Sequence, residues 1–142
     1  MSNSAFVDTN VIVYLFDGRF PGKQRTAGEL LQQLVRERMA PFLSTQVLQE
    51  AYCALTRKLN MDSKSAISAL QDIEAAGFTI QPVDVPLIWR AAARSAGEQL
   101  SFWDGLIVEA AREAGCAVLY SEDLQDGRVF DQMAIRNPFK QV

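Results

Sequence analysis

The feature that most restricts the fold of this chain is an alternation, in which short continuous apolar runs are separated by longer segments of helical spacing. Ala5-Phe6-Val7, Pro41-Phe42-Leu43, Phe78 to Val83 and Cys116-Ala117-Val118-Leu119-Tyr120 read as strands, with a weaker one at Met133 to Arg136. Between them a helix is expected after Asn10, and another over Thr26 to Met39 with Ala27, Leu30, Leu31, Leu34 and Val35 on its stripe. Later stripes fall at Val47, Leu48, Ala51, Leu55 and Leu59, at Ile67, Leu70 and Ile73, within Pro86 to Glu98, and at Trp103, Leu106, Ile107, Ala110 and Ala114. Ser44 or Thr45, Asp62 or Ser63, and Ser101 can cap helices, while Gly77 and Gly115 can end them. Gly18 to Gly22, with Pro21, marks a turn. This order specifies an α/β fold with a central, mainly parallel β-sheet flanked by helices. Right-handed crossovers would gather the loops that follow the strands on one edge of that sheet. At 142 residues, without repeats or linkers, the chain is expected to form one domain over 1–142.

Composition narrows the chemistry. Hydrophobic residues make up 49% and charged residues 22%, ordinary for a globular protein, and no apolar run has the length of a membrane span. The N-terminus has no basic region ahead of an apolar stretch, so a cytoplasmic protein without membrane association is expected. Cys53 and Cys116 read as small core residues, not as a disulfide framework. The chain has no histidine, which removes Ser-His-Asp and Cys-His mechanisms, histidine-based cleavage of RNA and the usual protein ligand of zinc. Hydrolysis by such a chain would run through carboxylates and a hard cation, Mg²⁺ or Mn²⁺. The net charge of -3 does not advertise a polyanion partner, although bound divalent cations change the sign of an acidic pocket.

Four acids stand out. Asp8, followed by Thr9 and Asn10, interrupts an apolar run where a strand gives way to a helix, an edge at which open parallel sheets bind ligands; all three residue types are also favoured helix caps. Asp123 follows a second strand in the same way, after Ser121 and Glu122, and two acids at one sheet edge are harder to explain as independent caps than either alone. Glu50 lies off its helical stripe, which by pattern is a solvated face. Asp104 stands three residues after Ser101, the spacing of a capping box.

Together, Phe6-Val7-Asp8-Thr9-Asn10-Val11-Ile12, Glu50 within Val47-Leu48-Gln49-Glu50, Ser101-Phe102-Trp103-Asp104-Gly105-Leu106-Ile107 and Leu119-Tyr120-Ser121-Glu122-Asp123 resemble a PIN domain, in particular the VapC-type toxins of toxin–antitoxin pairs. The resemblance spans nearly the whole chain. It implies a PIN-like α/β fold and a Mg²⁺- or Mn²⁺-dependent endoribonuclease. It makes Asp8, Glu50, Asp104 and Asp123 a catalytic acidic quartet, with Asp8, Asp104 and Asp123 as metal ligands and Thr9, Asn10 and Ser121 as supporting polar neighbours. This overrides the pattern-based readings of Glu50 and Asp104. It also implies an RNA substrate, a cognate antitoxin and a homodimer. A cation amid crowded carboxylates relieves their repulsion and lowers the pKa of water, and in-line attack would leave a 5′-phosphate and a 3′-hydroxyl. Arg19, Lys23 and Arg25 are weak candidates for substrate contacts at the rim, Asp126 is set aside near Gly127, and Asp17 reads as a turn residue.

Two other α/β classes gather acids at strand ends and do not fit. A haloacid-dehalogenase-like phosphatase needs a second Asp two positions after its nucleophile, where this chain has Asn10; a response-regulator receiver needs a Lys at a strand end. The remaining alternative is a non-catalytic PIN-like module that binds RNA or protein.

Overall fold

The computed structural model describes residues 3–142. Six strands form one sheet: β1 (Ser4–Val7), β2 (Ala40–Ser44), β3 (Thr79–Gln81), β4 (Val118–Tyr120), β5 (Val129–Phe130) and β6 (Met133–Arg136). The helices are α1 (Thr9–Tyr14), α2 (Pro21–Arg36), α3 (Thr45–Arg57), α4 (Ser63–Ala75), α5 (Val85–Glu98) and α6 (Phe102–Glu113). The sheet order is β3-β2-β1-β4-β6-β5, and every pairing is parallel except the antiparallel β5–β6 edge. Ala5, Phe6 and Val7 are fully buried, and Phe6 stands in register with Phe42 on one side and Leu119 on the other. The chain builds β2 and β3 outward from one side of β1 and then returns to place β4 on the other. Strand order therefore reverses between β1 and β4, and a crevice opens at their C-terminal ends.

Several boundaries differ from the sequence reading. Helix α2 starts at Pro21 and not near Thr26, because proline at the first helical position gives up an amide that has no intrahelical partner there anyway. The chain leaves α6 through Gly115 at φ +75, with the Cys116 amide still bonded to Ala111 O at 3.0 Å, so β4 begins only at Val118. Strand β3 is likewise shorter than the Phe78 to Val83 run, and β5 is two residues with no apolar run to announce it. Cys116 is buried, and burial pushes its thiol up to about 12. Cys53 is exposed, against the core placement read from its helix. Val35, Ile67 and Trp103 also face outward from helices whose other stripe residues are buried or partly buried, at 76%, 46% and 62% exposure.

Helix α6 is held to α5 by close contact and by charge. A Cβ on Gly105 would meet the Ala91 carbonyl oxygen at 2.9 Å, so only glycine lets the two helices approach this closely. Further along, the buried Glu109 carboxylate takes Arg90 at 3.2 Å, Arg94 at 2.7 Å and Arg112 at 3.2 Å. Burial works to raise the Glu109 carboxyl, but Arg94 first and then Arg112 and Arg90 outweigh it and leave it below its ordinary range. Glu109→Ala would take from Arg94, of which only 11% is exposed, its shortest carboxylate contact and leave it Glu98 at 2.8 Å. Denaturant unfolding should show a loss of about 2 kcal/mol, less than for a buried charge left unpaired because Arg94 keeps Glu98 and because Arg90 and Arg112 reach water. A loss under about 1 kcal/mol would show that the network adds no more than surface pairs do.

Candidate active site

Asp8 ends β1 and precedes α1, so its side chain sits in the β1–β4 crevice. Its Oδ1 accepts the Thr9 amide at 2.7 Å and its Oδ2 accepts the Ser121 hydroxyl at 2.7 Å. A capping side chain accepts from the second or third helical amide. Thr9 is the first, so capping alone does not account for Asp8. Ser121 is fully buried, and its oxygen also accepts the amides of Asp123 at 3.1 Å and Leu124 at 3.3 Å. The serine thus fixes Asp8 and shapes the loop carrying Asp123. The sheet continues one step into the site, with Asp8 N on Tyr120 O at 2.9 Å and Ser121 N on Arg136 O at 3.0 Å.

The next two residues reach other elements. Thr9 Oγ1 donates to Glu50 Oε1 on α3 at 2.7 Å, and Asn10 Nδ2 donates to Asp123 Oδ2 at 3.0 Å. Asn10 Oδ1 accepts the Glu122 amide at 3.3 Å. Gln46 Nε2 bonds both Glu50 Oε2 and the Trp103 carbonyl at 3.2 Å, which ties α3 to the residue before Asp104. Its Oε1 is buried with no hydrogen-bond partner among the described residues. At Asp104, Ser101 Oγ accepts the backbone amide at 3.0 Å, the forward half of a capping box.

Asp8, Glu50, Asp104 and Asp123 form no ion pair among the described residues, whereas Asp17, Glu122 and Asp126, the acids nearest to Asp8 and Asp123 in sequence, each have one. Arg19 grips the buried Asp17 carboxylate at 2.9 and 2.8 Å, and Arg19's hydrogen bonds hold that carboxyl below its usual range. So Asp17 is a turn residue with a buried ion pair. Asp126 accepts the Asn137 amide at 2.8 Å and Lys140 at 3.3 Å, which gives it a partner set of its own. Glu122 takes the Tyr14 hydroxyl at 2.7 Å and Lys23 at 2.6 Å. Of the rim candidates, Arg19 and Lys23 are therefore engaged, and Arg25 is exposed on α2.

The acids influence one another. Burial pushes Asp8 from an ordinary 3.8 up to about 7; the bonds from Ser121 and Thr9 oppose this, and the charges of Asp123 and Glu50 add to it. Asp123 is also raised, by loss of hydration first and then by Asp104, Glu122 and Glu50, against the Asn10 hydrogen bond. Among the described residues no three acidic side chains converge tightly enough, as placed, to grip one ion. A cleft of about 400 Å³ opens on Thr9, Asn10, Glu50 and Asp123, with Lys58 and Arg19 also on its walls. A larger cavity, beside Arg112, Cys116 and Asp131, touches none of the four acids. No local pattern in the sequence signals the contacts that Gln46 and Glu122 make or the place of Lys58 on the cleft wall.

Acids at the switch point of a parallel sheet occur in several α/β classes, and a family comparison separates them. The PIN domain family model matches residues 5–134, and the chain belongs to that family. No curated protein matches it by sequence. Among solved structures, VapC20 of Mycobacterium tuberculosis, described as a sarcin–ricin loop cleaving toxin, is similar at 22% identity and TM-score 0.67, over 84% of this chain and 90% of that one. A toxin–antitoxin complex from Klebsiella pneumoniae is similar at 20% identity and TM-score 0.67, over 95% and 98%. VapBC2 from Rickettsia felis, bound to a DNA fragment from its promoter, is similar at 19% identity and TM-score 0.68, over 94% and 97%. At these identities the likeness establishes a shared fold.

The burial of Asp8 has a measurable sign. The folded chain keeps this proton up to about pH 7, whereas an unfolded chain releases it near 3.8. The stabilisation is complete below the lower value and is lost as pH rises through the higher one. The interval corresponds to about 4 kcal/mol. In EDTA, the stability of wild type relative to Asp8→Asn should therefore fall between pH 4 and pH 8 by a few kcal/mol. A pH-independent difference would mean that Asp8 is ionised throughout.

Proposed function

We propose that this chain is a divalent-metal-dependent endoribonuclease and the toxin of a toxin–antitoxin pair. One observation carries the reading: the consecutive residues Asp8, Thr9 and Asn10 tie together by hydrogen bonds the acids of three elements, Asp8 itself through Ser121, Glu50 through Thr9 and Asp123 through Asn10, and none of these carboxylates has an ion-pair partner among the described residues. Structural stability alone gives no reason for that arrangement, since uncompensated carboxylates weaken a fold. Family membership and the toxin neighbours support the same reading.

The donor set suits a hard cation. All four acids of the proposed catalytic set are carboxylates, and Ser121, Thr9, Gln46 and Asn10 hydrogen-bond three of them. Asp8, Asp104 and Asp123 are the proposed holders of Mg²⁺ or Mn²⁺, with Glu50 the fourth acid of the catalytic set. When bound, such a cation supplies charge compensation and water activation at a phosphodiester. Ser121 and the Thr9 amide keep Asp8 oriented, and Thr9 keeps Glu50 facing the cleft. In-line cleavage then leaves a 5′-phosphate and a 3′-hydroxyl. The intact quartet favours an enzyme over a non-catalytic PIN-like module. An antitoxin segment laid across the site would neutralise it, a basic side chain substituting for the cation's charge. A homodimer belongs to this reading. So does the cytoplasm, where RNA is met; among the described residues no helix is long and apolar enough to cross a membrane.

Titration of Mn²⁺ against cleavage of a labelled RNA should show metal-dependent activity. Asp8→Asn and Asp104→Asn should each abolish it while the circular dichroism spectrum stays native. Full activity in excess EDTA, or in Asp8→Asn, would overturn the reading. Mn²⁺ at about 100 times Kd should stabilise wild type by roughly 2.7 kcal/mol, several degrees in Tm for a domain of this size, and should stabilise Asp8→Asn less. Equal shifts would remove Asp8 from the metal site. Co-purification with the product of a small adjacent gene tests the antitoxin, and a toxin harmless on its own with no such partner would lose that label.

A further inference from the structure

One wall of the acid cleft is a single ridge of α3. Glu50, Ala54 and Lys58 follow at i, i+4 and i+8 and all three line the cleft, so Lys58 stands about 12 Å along the helix axis from Glu50 on the same side. Ala54 is small and leaves space between them. Val13 and Leu59 add apolar surface to the same cleft, whose lining also includes Tyr14, Asp17, Arg19 and Phe20. One helical ridge thus carries a carboxylate of the quartet and an ammonium into a cleft with apolar and aromatic surface for a sugar or base.

The ammonium is unusual among the cations nearby. Arg19 is clamped by Asp17, and Lys23 by Glu122 and Tyr14. Lys58 is exposed and has no side-chain partner among the described residues; only its backbone amide bonds, to Ala54 O at 2.9 Å. The fold gives it nothing to hold. A polyanion entering an acidic pocket needs a free cation at a fixed distance from the reacting centre.

From this arrangement, and resting on the nuclease reading, we infer that Lys58 is a positioning residue: it binds the backbone phosphate of a nucleotide flanking the scissile bond, and so sets where the RNA lies along the cleft. A phosphate contact reads no base, so its loss weakens all sequences alike.

The test compares wild type, Lys58→Gln and Lys58→Arg in RNA cleavage with Mn²⁺, over a range of salt. Lys58→Gln should raise KM about 10-fold, leave kcat within about 2-fold, and flatten the slope of log(kcat/KM) against log[salt] by about one. Lys58→Arg should restore both, and melting should be unchanged in either variant. Unchanged KM and slope in a chain that cuts RNA would overturn the inference and leave the nuclease reading standing. A collapse in kcat would also overturn it, by putting Lys58 in the reacting machinery. Binding of a fluorescent single-stranded RNA, measured by anisotropy in the Asp8→Asn background with and without Lys58→Gln, decides the matter if wild type proves not to cut RNA. Equal binding there overturns the inference, and so does weakened antitoxin binding with RNA binding intact.

Discussion

A buried hydrogen bond of 2.7 Å, from the Ser121 hydroxyl to Asp8, closes the crevice between β1 and β4. Everything at the sheet edge is arranged around it. The serine hydrogen reaches Asp8 while its oxygen collects the amides of Asp123 and Leu124, so one side chain sets both the carboxylate that follows β1 and the loop after β4. The geometry follows from topology: only at the switch point do two adjacent parallel strands diverge and leave room for a carboxylate. Burial at this point raises the Asp8 pKa, and the bonds from Ser121 and Thr9 that orient the carboxylate work against the rise.

The acids at strand ends were legible in the sequence, because Ala5 to Val7 and Val118 to Tyr120 are apolar runs broken by polar residues at the point where a strand must stop. Glu50 and Asp104 were not legible by pattern. An acid off an apolar stripe looks the same whether it faces water or a cleft, and what distinguishes Glu50 is a bond from Thr9, 41 residues away. Only the family resemblance singled out the two; the structure gives Glu50 bonds from Thr9 and Gln46, and gives Asp104 the backbone cap that its spacing from Ser101 predicts. Gln46 and Lys58 lay beyond both kinds of reading, since an amide joining two helices and a lysine without a partner are tertiary facts. Cys53 and Trp103 show the converse error. Periodicity identifies a face that is apolar, and whether another element covers it depends on packing the period does not contain.

Several cations of this molecule are paired with acids outside the quartet. Arg90, Arg94 and Arg112 converge on Glu109, Arg19 on Asp17 and Lys23 on Glu122, so much of the positive charge is neutralised locally. The pocket at the sheet edge is left as a concentrated negative site in a chain whose net charge is only -3. Such a pocket attracts cations over distances near the Debye length and repels nucleic acid until one is bound.

The bond between Asp8 and Ser121 also spans 113 residues of chain. A ribosome releases Asp8, Thr9, Asn10 and Glu50 early and Ser121 near the end, and β4 inserts beside β1 only after that. Until then Asp8 is an ordinary solvated carboxylate with no serine to orient it, and Asp123 has not yet been made. For a protein proposed to cut RNA, this order of synthesis keeps the chain inert while its own message is being read.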